Sequence, residues 1–554
     1  MSTLSRRDFL KVAGIGSTAL TALCMAGCSG SSNNGPSEEP TQLAVNEDAN
    51  AYEQEQTVGF IAPLVNVASG DPGSFYPLKP AGGGKAVMCE VYEPLFDQDG
   101  PSGGLYSVIG KEFNWDGNDL NVEIYDNVYD TDGNHLTASD VVWYYNQMIA
   151  EGYNSQKYLD NFESCEALDD THVVFHAIPE KADVFQNDNN LFRGACIVTQ
   201  KAYEASTDSM AANPVATGRY KLTSYTPGLS ATIERVSDDD YWQKDLSLVG
   251  PQHQANVQTI NYYFITEAAQ IVNALKTGQI DYACEISSTA AADFAASDEY
   301  TIYRFYSSRM FQTWFNCMKG APLGDINLRA AVCYAMNSDD ILAVVGGEDF
   351  ARKCYEFCIP DVQFYNKECE SWDSYYTVCD LDLAKDYLSK SSYAGQTLKI
   401  YYFTGEHADM EEGIALCIGA ALDQLGVAYE ITPTTDVDDL NVPANTNWDI
   451  CLLTTGCNGN ALAGIAKLSN VMYEGGYGNY YDDKLQELYD SFNTRTNASP
   501  EANAELQKYL IDNFYVYGTL EGILIDCWRN SVVANATTKT FRTWMIPGAW
   551  IYTE

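Results

Sequence analysis

At two points in this chain a single glycine separates a helical pattern from a strand-like run, leaving no room for a long loop. Thr266 is placed to cap a helix carrying Ile271, Ala274 and Leu275; Gly278 stops it, and Ile280-Asp281-Tyr282-Ala283-Cys284 reads as a strand. The helical pattern from Gly413 to Leu425 ends the same way at Gly426, followed by Val427-Ala428-Tyr429-Glu430-Ile431. A helix delivered straight into a strand is one arm of an α/β crossover. Other helix starts are declared locally: Thr137-Ala138-Ser139-Asp140 is a capping box, Asp325 opens a helix through Leu328, Val332 and Ala335, Ser338-Asp339-Asp340 opens the next, and Ser499-Pro500 places proline at a first helical position. Helices and strands interleave from about Thr57 onward, which predicts an α/β, mixed α+β protein.

A chain of 554 residues exceeds what one hydrophobic core serves, since cores stop growing near roughly 250–300 residues, so at least two lobes are expected. A formal charge of −44 repels phosphate backbones and excludes nucleic acid as a partner.

The first 28 residues read as an export signal. Ser5-Arg6-Arg7-Asp8-Phe9-Leu10-Lys11 resembles the twin-arginine consensus, residues 12–26 are weakly apolar, and Met25-Ala26-Gly27-Cys28 resembles a lipobox whose Cys28 becomes the lipidated N-terminus. Residues 29–56 form a flexible tether that begins as a Gly/Ser/Asn/Pro tract. The mature protein is therefore expected outside the cell membrane or in a periplasm, anchored through Cys28. Of 16 cysteines, Cys24 and Cys28 lie in the signal, and the even remainder suggests disulfides among Cys354, Cys358, Cys369 and Cys379, and between Cys451 and Cys457.

The common catalytic signatures are missing: G-x-S-x-G, Walker A, H-E-x-x-H and C-x-x-C do not occur, and Gly82-Gly83-Gly84 lacks the context of a phosphate loop. His172 and His176 fall four apart in a strand pattern, too far along it to share a metal, and Asp238-Asp239-Asp240 reads as a turn. The chain is read as a non-enzyme with no cofactor and no metal. The wealth of 39 Tyr, 21 Phe and 9 Trp suits a ligand cleft as well as a core.

Six segments, in order, resemble the peptide/nickel-binding solute receptors of ABC importers, called family 5. They are Glu93-Pro94-Leu95-Phe96; Asp132-Gly133-Asn134-His135-Leu136-Thr137-Ala138-Ser139-Asp140; Ala216-Thr217-Gly218-Arg219-Tyr220; Asp240-Tyr241-Trp242; Ala274-Leu275-Lys276-Thr277-Gly278; and Asn327-Leu328-Arg329-Ala330-Ala331-Val332. The resemblance implies a two-lobed periplasmic-binding-protein-like fold that closes on a small ligand, peptide-like or another metabolite, and delivers it to permease subunits. By that pattern lobe I comprises 57–80, 200–308 and 518–554, residues 81–199 are its accessory subdomain, and 309–517 form lobe II. A monomer is expected. An exported cofactor-dependent redox enzyme or hydrolase, and a sensor lipoprotein presenting ligand to a signalling partner, are the alternative readings.

In peptide-binding relatives an aspartate pairs with the ligand ammonium; here Thr455 and Asn458 stand where a tryptophan and that aspartate would, and a neutral amide cannot make the charge-assisted pair. Arg309, Phe311 and Trp314, on a strand leading into the second lobe, are candidates to face the cleft, Arg309 as an anion fork and Trp314 as a stacking face. Tyr402, Phe403, Asp71 and Tyr480 are further candidates by position.

Overall fold

A computed structural model describes the chain from Val65 to Ile551 apart from internal stretches, the longest being 466–481 and 535–549. The export signal, the tether and Cys28 lie outside the described residues, as do Gly82 to Gly84, Cys457, Asn458 and Tyr480. Among the described residues no helix is long and apolar enough to cross a membrane.

One 11-stranded sheet organises the molecule. Its strands are β1 (Val65–Ala68), β2 (Tyr220–Thr226), β3 (Ser230–Arg235), β4 (Thr259–Tyr263), β5 (Tyr282–Ala283), β6 (Tyr300–Phe315), β7 (Ala351–Lys353), β8 (Leu398–Phe403), β9 (Tyr429–Thr434), β10 (Ile450–Gly456) and β11 (Val516–Arg529). Across the sheet the order is β9-β8-β10-β6-β11-β5-β1-β4-β3-β2, with β7 on the second edge of β11. Parallel pairs occur in both halves: β1 with β4 and β5, and β8 with β9 and β10.

The two longest strands, β6 and β11, pair antiparallel along most of their length and run through both halves of the sheet. Their register shifts twice near the middle, by one residue between Phe311 and Gln312 and more widely after Tyr306. Tyr306 pairs with Ile523 and Met310 with Glu521, so Ser307, Ser308 and Arg309 stand against Gly522 alone. Such a bulge bends the strand and interrupts its ladder. The hydrophobic packing changes over at the same place. Buried members of two clusters come from residues up to 294 or from 525 onward, and buried members of the other two come from 310 to 520. Separate cores joined by a two-strand ribbon are what a chain this long requires.

A smaller four-stranded sheet, ordered Gly110–Asp116, Asp119–Ile124, His172–Ala177 and Phe162–Ala167, packs against helix Ala138–Ala150, where Tyr145 meets Phe175 edge-on at 5.0 Å. This layer belongs to the same cluster as β3 and β4. The motifs meet around it. Glu93, fully buried, accepts bonds from the Tyr241 hydroxyl at 2.5 Å and from Trp242 Nε1 at 2.8 Å. Arg219 stacks over the Tyr241 ring at 4.6 Å and pairs with Asp238 at 2.9 Å. Asp238 also pairs with Arg235, so the acidic turn is an anchor for two buried guanidinium groups.

The local helix signals are realised with small shifts. Thr137 and Asp140 cap helix Ala138–Ala150, the Asp140 carboxylate accepting from the Thr137 backbone N–H at 2.8 Å and its hydroxyl at 3.0 Å. Helix Ala268–Thr277 has Glu267 at its N-cap position without a side-chain cap bond, Thr266 lying outside the described residues, and Gly278 ends it in the left-handed region with φ 74°. Helix Ser338–Val344 is capped by Asn337, whose side chain reaches the Asp339 N–H one residue before the expected Ser338. Helix Ala408–Leu425 starts earlier than Gly413 and stops at Gly426 as expected. Cys369 and Cys379 depart from the expected local bridge: both are thiols, bonded to the Tyr365 hydroxyl and the Ala335 carbonyl. His172 and His176 are each held by their own carboxylates, Asp169 at 2.9 Å and Asp119 at 2.7 Å.

Candidate functional site

Strand directions locate the site. In the first half β5 is parallel to β1 and antiparallel to β11, running from Tyr282 opposite Trp528 to Ala283 opposite Cys527. It therefore points toward the bulge at Gly522. In the second half β10 is antiparallel to β6 and ends with Gly456 opposite Arg309, beside the same bulge, and β8 runs parallel to it. The carboxyl ends of parallel strands from both halves thus converge on the break between the two cores. Open α/β sheets bind ligands outside such carboxyl ends.

At the second-half rim, β8 ends at Phe403 and β10 at Thr454 to Gly456. Their ends are tied by Glu411 from the first turn of helix Ala408–Leu425, which accepts the Phe403 backbone N–H at 2.9 Å and the Thr454 hydroxyl at 2.6 Å. Glu411 is buried, and burial pushes its carboxyl up to about 7. It therefore enters the neutral range half protonated, a carboxyl able to donate as well as accept. At the first-half rim, the loop after β1 is tied by Asp71. Its carboxylate accepts from the Gly73 N–H at 2.8 Å, from the Tyr225 hydroxyl at 2.9 Å and from the Gly228 N–H.

Between the rims lies the bulge. Tyr306 is 49% exposed there, with the Arg352 guanidinium over its ring at 3.6 Å. Arg352 donates Nε to the buried Glu521 carboxylate at 2.6 Å and Nη2 to the Pro360 carbonyl at 3.0 Å.

The candidates from sequence fall into three groups. Arg309 is half-buried at the bulge opposite Gly456, and Thr455 pairs with Met310 one position farther on; Phe403, half-buried, joins them at the strand ends. Asp71 stands on the opposite rim, its oxygens engaged by the loop it holds. Phe311, Trp314 and Tyr402 point into the packing: Phe311 and Tyr402 belong to one cluster, and Trp314, fully buried, meets Phe357 edge-on at 4.9 Å. Trp314 offers no open stacking face in this structure. Glu411, Tyr306, Arg352 and Glu521 were not indicated by the sequence, because an acidic residue in a first helical turn and a lone Arg or Tyr carry no signal until the register of β6 and β11 is known.

Residues 111–478 match the family model described as bacterial extracellular solute-binding proteins, family 5 Middle. Among solved structures, the ABC transporter substrate-binding protein CtaP of Listeria monocytogenes superposes with a TM-score of 0.74 at 19% identity, over 88% of this chain and 99% of that one. NikA of Brucella suis, in complex with Fe(III)-EDTA, gives 0.74 at 15% identity over 88% and 100%. The oligopeptide-binding protein AppA of Bacillus subtilis, in complex with a nonapeptide, gives 0.67 at 15% over 88% and 99%. At these identities the likeness concerns the two-lobed fold. A curated relative, the probable peptide-binding protein YejA of Agrobacterium fabrum, is 30% identical over 145 residues, which is 24% of this chain and 23% of the relative's length.

Proposed function

The chain belongs to the bacterial extracellular solute-binding proteins of family 5, and from that premise we propose that it captures a small molecule, peptide-like or another metabolite, between two lobes and hands it unchanged to the permease of an ABC importer. One observation carries the reading: parallel strands from two separate cores end facing each other at a bulge in the two strands that join those cores. A ribbon interrupted in mid-course is a natural bending point, and a guest that touches both rims favours the closed state by its differential affinity for it.

Following the family pattern, we assign lobe I to residues 57–80, 200–308 and 518–554 with 81–199 as its accessory subdomain, and lobe II to 309–517; in β11 Leu520 still packs with the second half, so the changeover there falls nearer Gly522 than 518. Arg309, Thr455 and Phe403 would meet the ligand from lobe II, and the loop at Asp71 from lobe I. Tyr306, half-exposed between the rims, would supply an aromatic surface that suits a planar or apolar group. The twin-arginine and lipobox patterns support an exported protein held at the membrane by Cys28. Solute-binding relatives and the absence of catalytic sequence signatures support binding without turnover.

Native mass spectrometry of the protein purified without added ligand tests this. The expected result is a one-to-one mass increment that dissociates as an intact small molecule; a protein that carries none, and takes up none from a metabolite extract, contradicts it.

A further inference from the structure

The accessory subdomain touches the second half of the molecule through a short strap. Val184 forms an antiparallel bridge with Thr494. Phe185 N–H donates to the Asn493 carbonyl at 3.2 Å, and Arg495 N–H donates to the Asp183 carbonyl at 2.8 Å. Side chains reinforce the pairing. The Thr496 hydroxyl donates to the Asp183 carboxylate at 3.1 Å, Arg495 Nε lies 3.9 Å from the same group, and the Arg495 guanidinium covers the Trp115 ring at 3.6 Å. Phe185 meets Phe364 edge-on at 5.0 Å. Phe364 holds φ 70°, a conformation an aromatic residue rarely adopts, and Asn503 fixes it there by donating to its carbonyl at 3.0 Å.

The two sides of this contact belong to different cores. Trp115 packs on Phe162 within the cluster that also contains β3 and β4, whereas Phe364 and Phe492 pack in a cluster of the second half. Among the described residues, Phe185 is the single hydrophobic residue before Tyr300 that packs against the second-half hydrophobic clusters. Opening about the bulge at Gly522 must therefore break the strap or tear the accessory layer from a shared buried core. The strap is the weaker link, since beside a short backbone pairing it rests on exposed or half-exposed polar contacts at Asp183, one cation–π contact and one pair of phenyl rings, against a whole shared core.

We propose that residues 183–185 and 493–496 form a latch that holds the lobes closed, so that the balance between open and closed states is set at this remote contact as well as by the ligand. The inference rests on the two-lobed capture reading given above.

Small-angle scattering on the mature chain, without added ligand, tests it with two variants. Arg495→Ala removes the ion pair and the ring contact of a largely buried side chain, and is expected to raise the open population by about threefold or more, read as a larger radius of gyration. Val184→Cys with Thr494→Cys, oxidised and verified by peptide mapping, is expected to fix the small radius and to stop exchange of any retained molecule. A cross-linked protein that opens as widely as the uncross-linked one overturns the latch, because the strap then rides with the second half. A protein that responds to both variants as expected yet carries no small molecule in native mass spectrometry supports the latch and contradicts capture.

Discussion

The guanidinium of Arg352 lies 3.6 Å over the ring of Tyr306, and the two residues sit on opposite sides of the break between cores. Arg352 is carried by β7, which pairs with the second-half end of β11, while Tyr306 is the last residue of β6 paired in the first half. The contact is a brace across the bending point. Its other end is stronger: Arg352 Nε reaches Glu521, whose side chain is 1% exposed.

Arg352→Met should therefore cost more than Tyr306→Leu. The first leaves a buried carboxylate without its guanidinium and is expected to lose about 3 kcal/mol, whereas the second loses a cation–π contact of about 0.5–2 kcal/mol. Urea unfolding of both variants checks the order. Equal losses would show that the Glu521 pair contributes little.

Glu411 predicts a pH dependence. Its folded carboxyl sits near 7, above the usual carboxylate range, because it is buried. The folded state then holds a proton that the unfolded state has released, so stability falls as pH rises through the window from about 4.5 to 7, by up to about 3 kcal/mol. Glu411→Gln, neutral throughout, is expected to lose less stability across that window than the native protein. Parallel pH profiles would remove Glu411 from the account of this rim.

Two glycines separate steric need from conformational preference. A Cβ on Gly218 would lie 2.3 Å from the Val91 carbonyl oxygen, part of the backbone, whereas one on Gly278 would meet the tip of the Arg529 side chain, which can move. Gly278→Ala should cost about 1–2 kcal/mol for its left-handed conformation. Gly218→Ala should cost more, about 3 kcal/mol or above, as the chain there must shift. Thermal unfolding of the pair checks the ranking, and a milder effect at Gly218 would show that the Val91 segment yields.

Trp314→Ala is expected to act on stability. The side chain is fully buried against Phe357, so truncation should cost about 3–5 kcal/mol. A variant with native stability and weakened ligand retention would instead place Trp314 in the cleft.

Much of the scaffold was legible in the sequence because its signals are local. Asp325, Ser499-Pro500, Gly278 and Gly426 each specify a helix end through groups a few residues away, and the structure realises them there. The resemblance to family 5 is visible through motifs whose partners are distant: Glu93 meets Tyr241 and Trp242 across about 150 positions, a contact no local pattern reveals. The cleft was less legible for a physical reason. Successive strand residues face opposite sides, so which of Tyr402 and Phe403, or of Arg309, Phe311 and Trp314, is buried depends on register and on the bulge after Tyr306. The disulfide expectation treated sequence spacing as spatial pairing, whereas Cys369 and Cys379 bond to different partners.

The most direct test of capture by closure is to strip the retained molecule, return it, and follow both partners. Small-angle scattering should show the radius of gyration falling as the molecule is added to one equivalent, and mass spectrometry of the released fraction should recover it unaltered. A radius that does not respond, or a molecule that comes back chemically changed, contradicts the account.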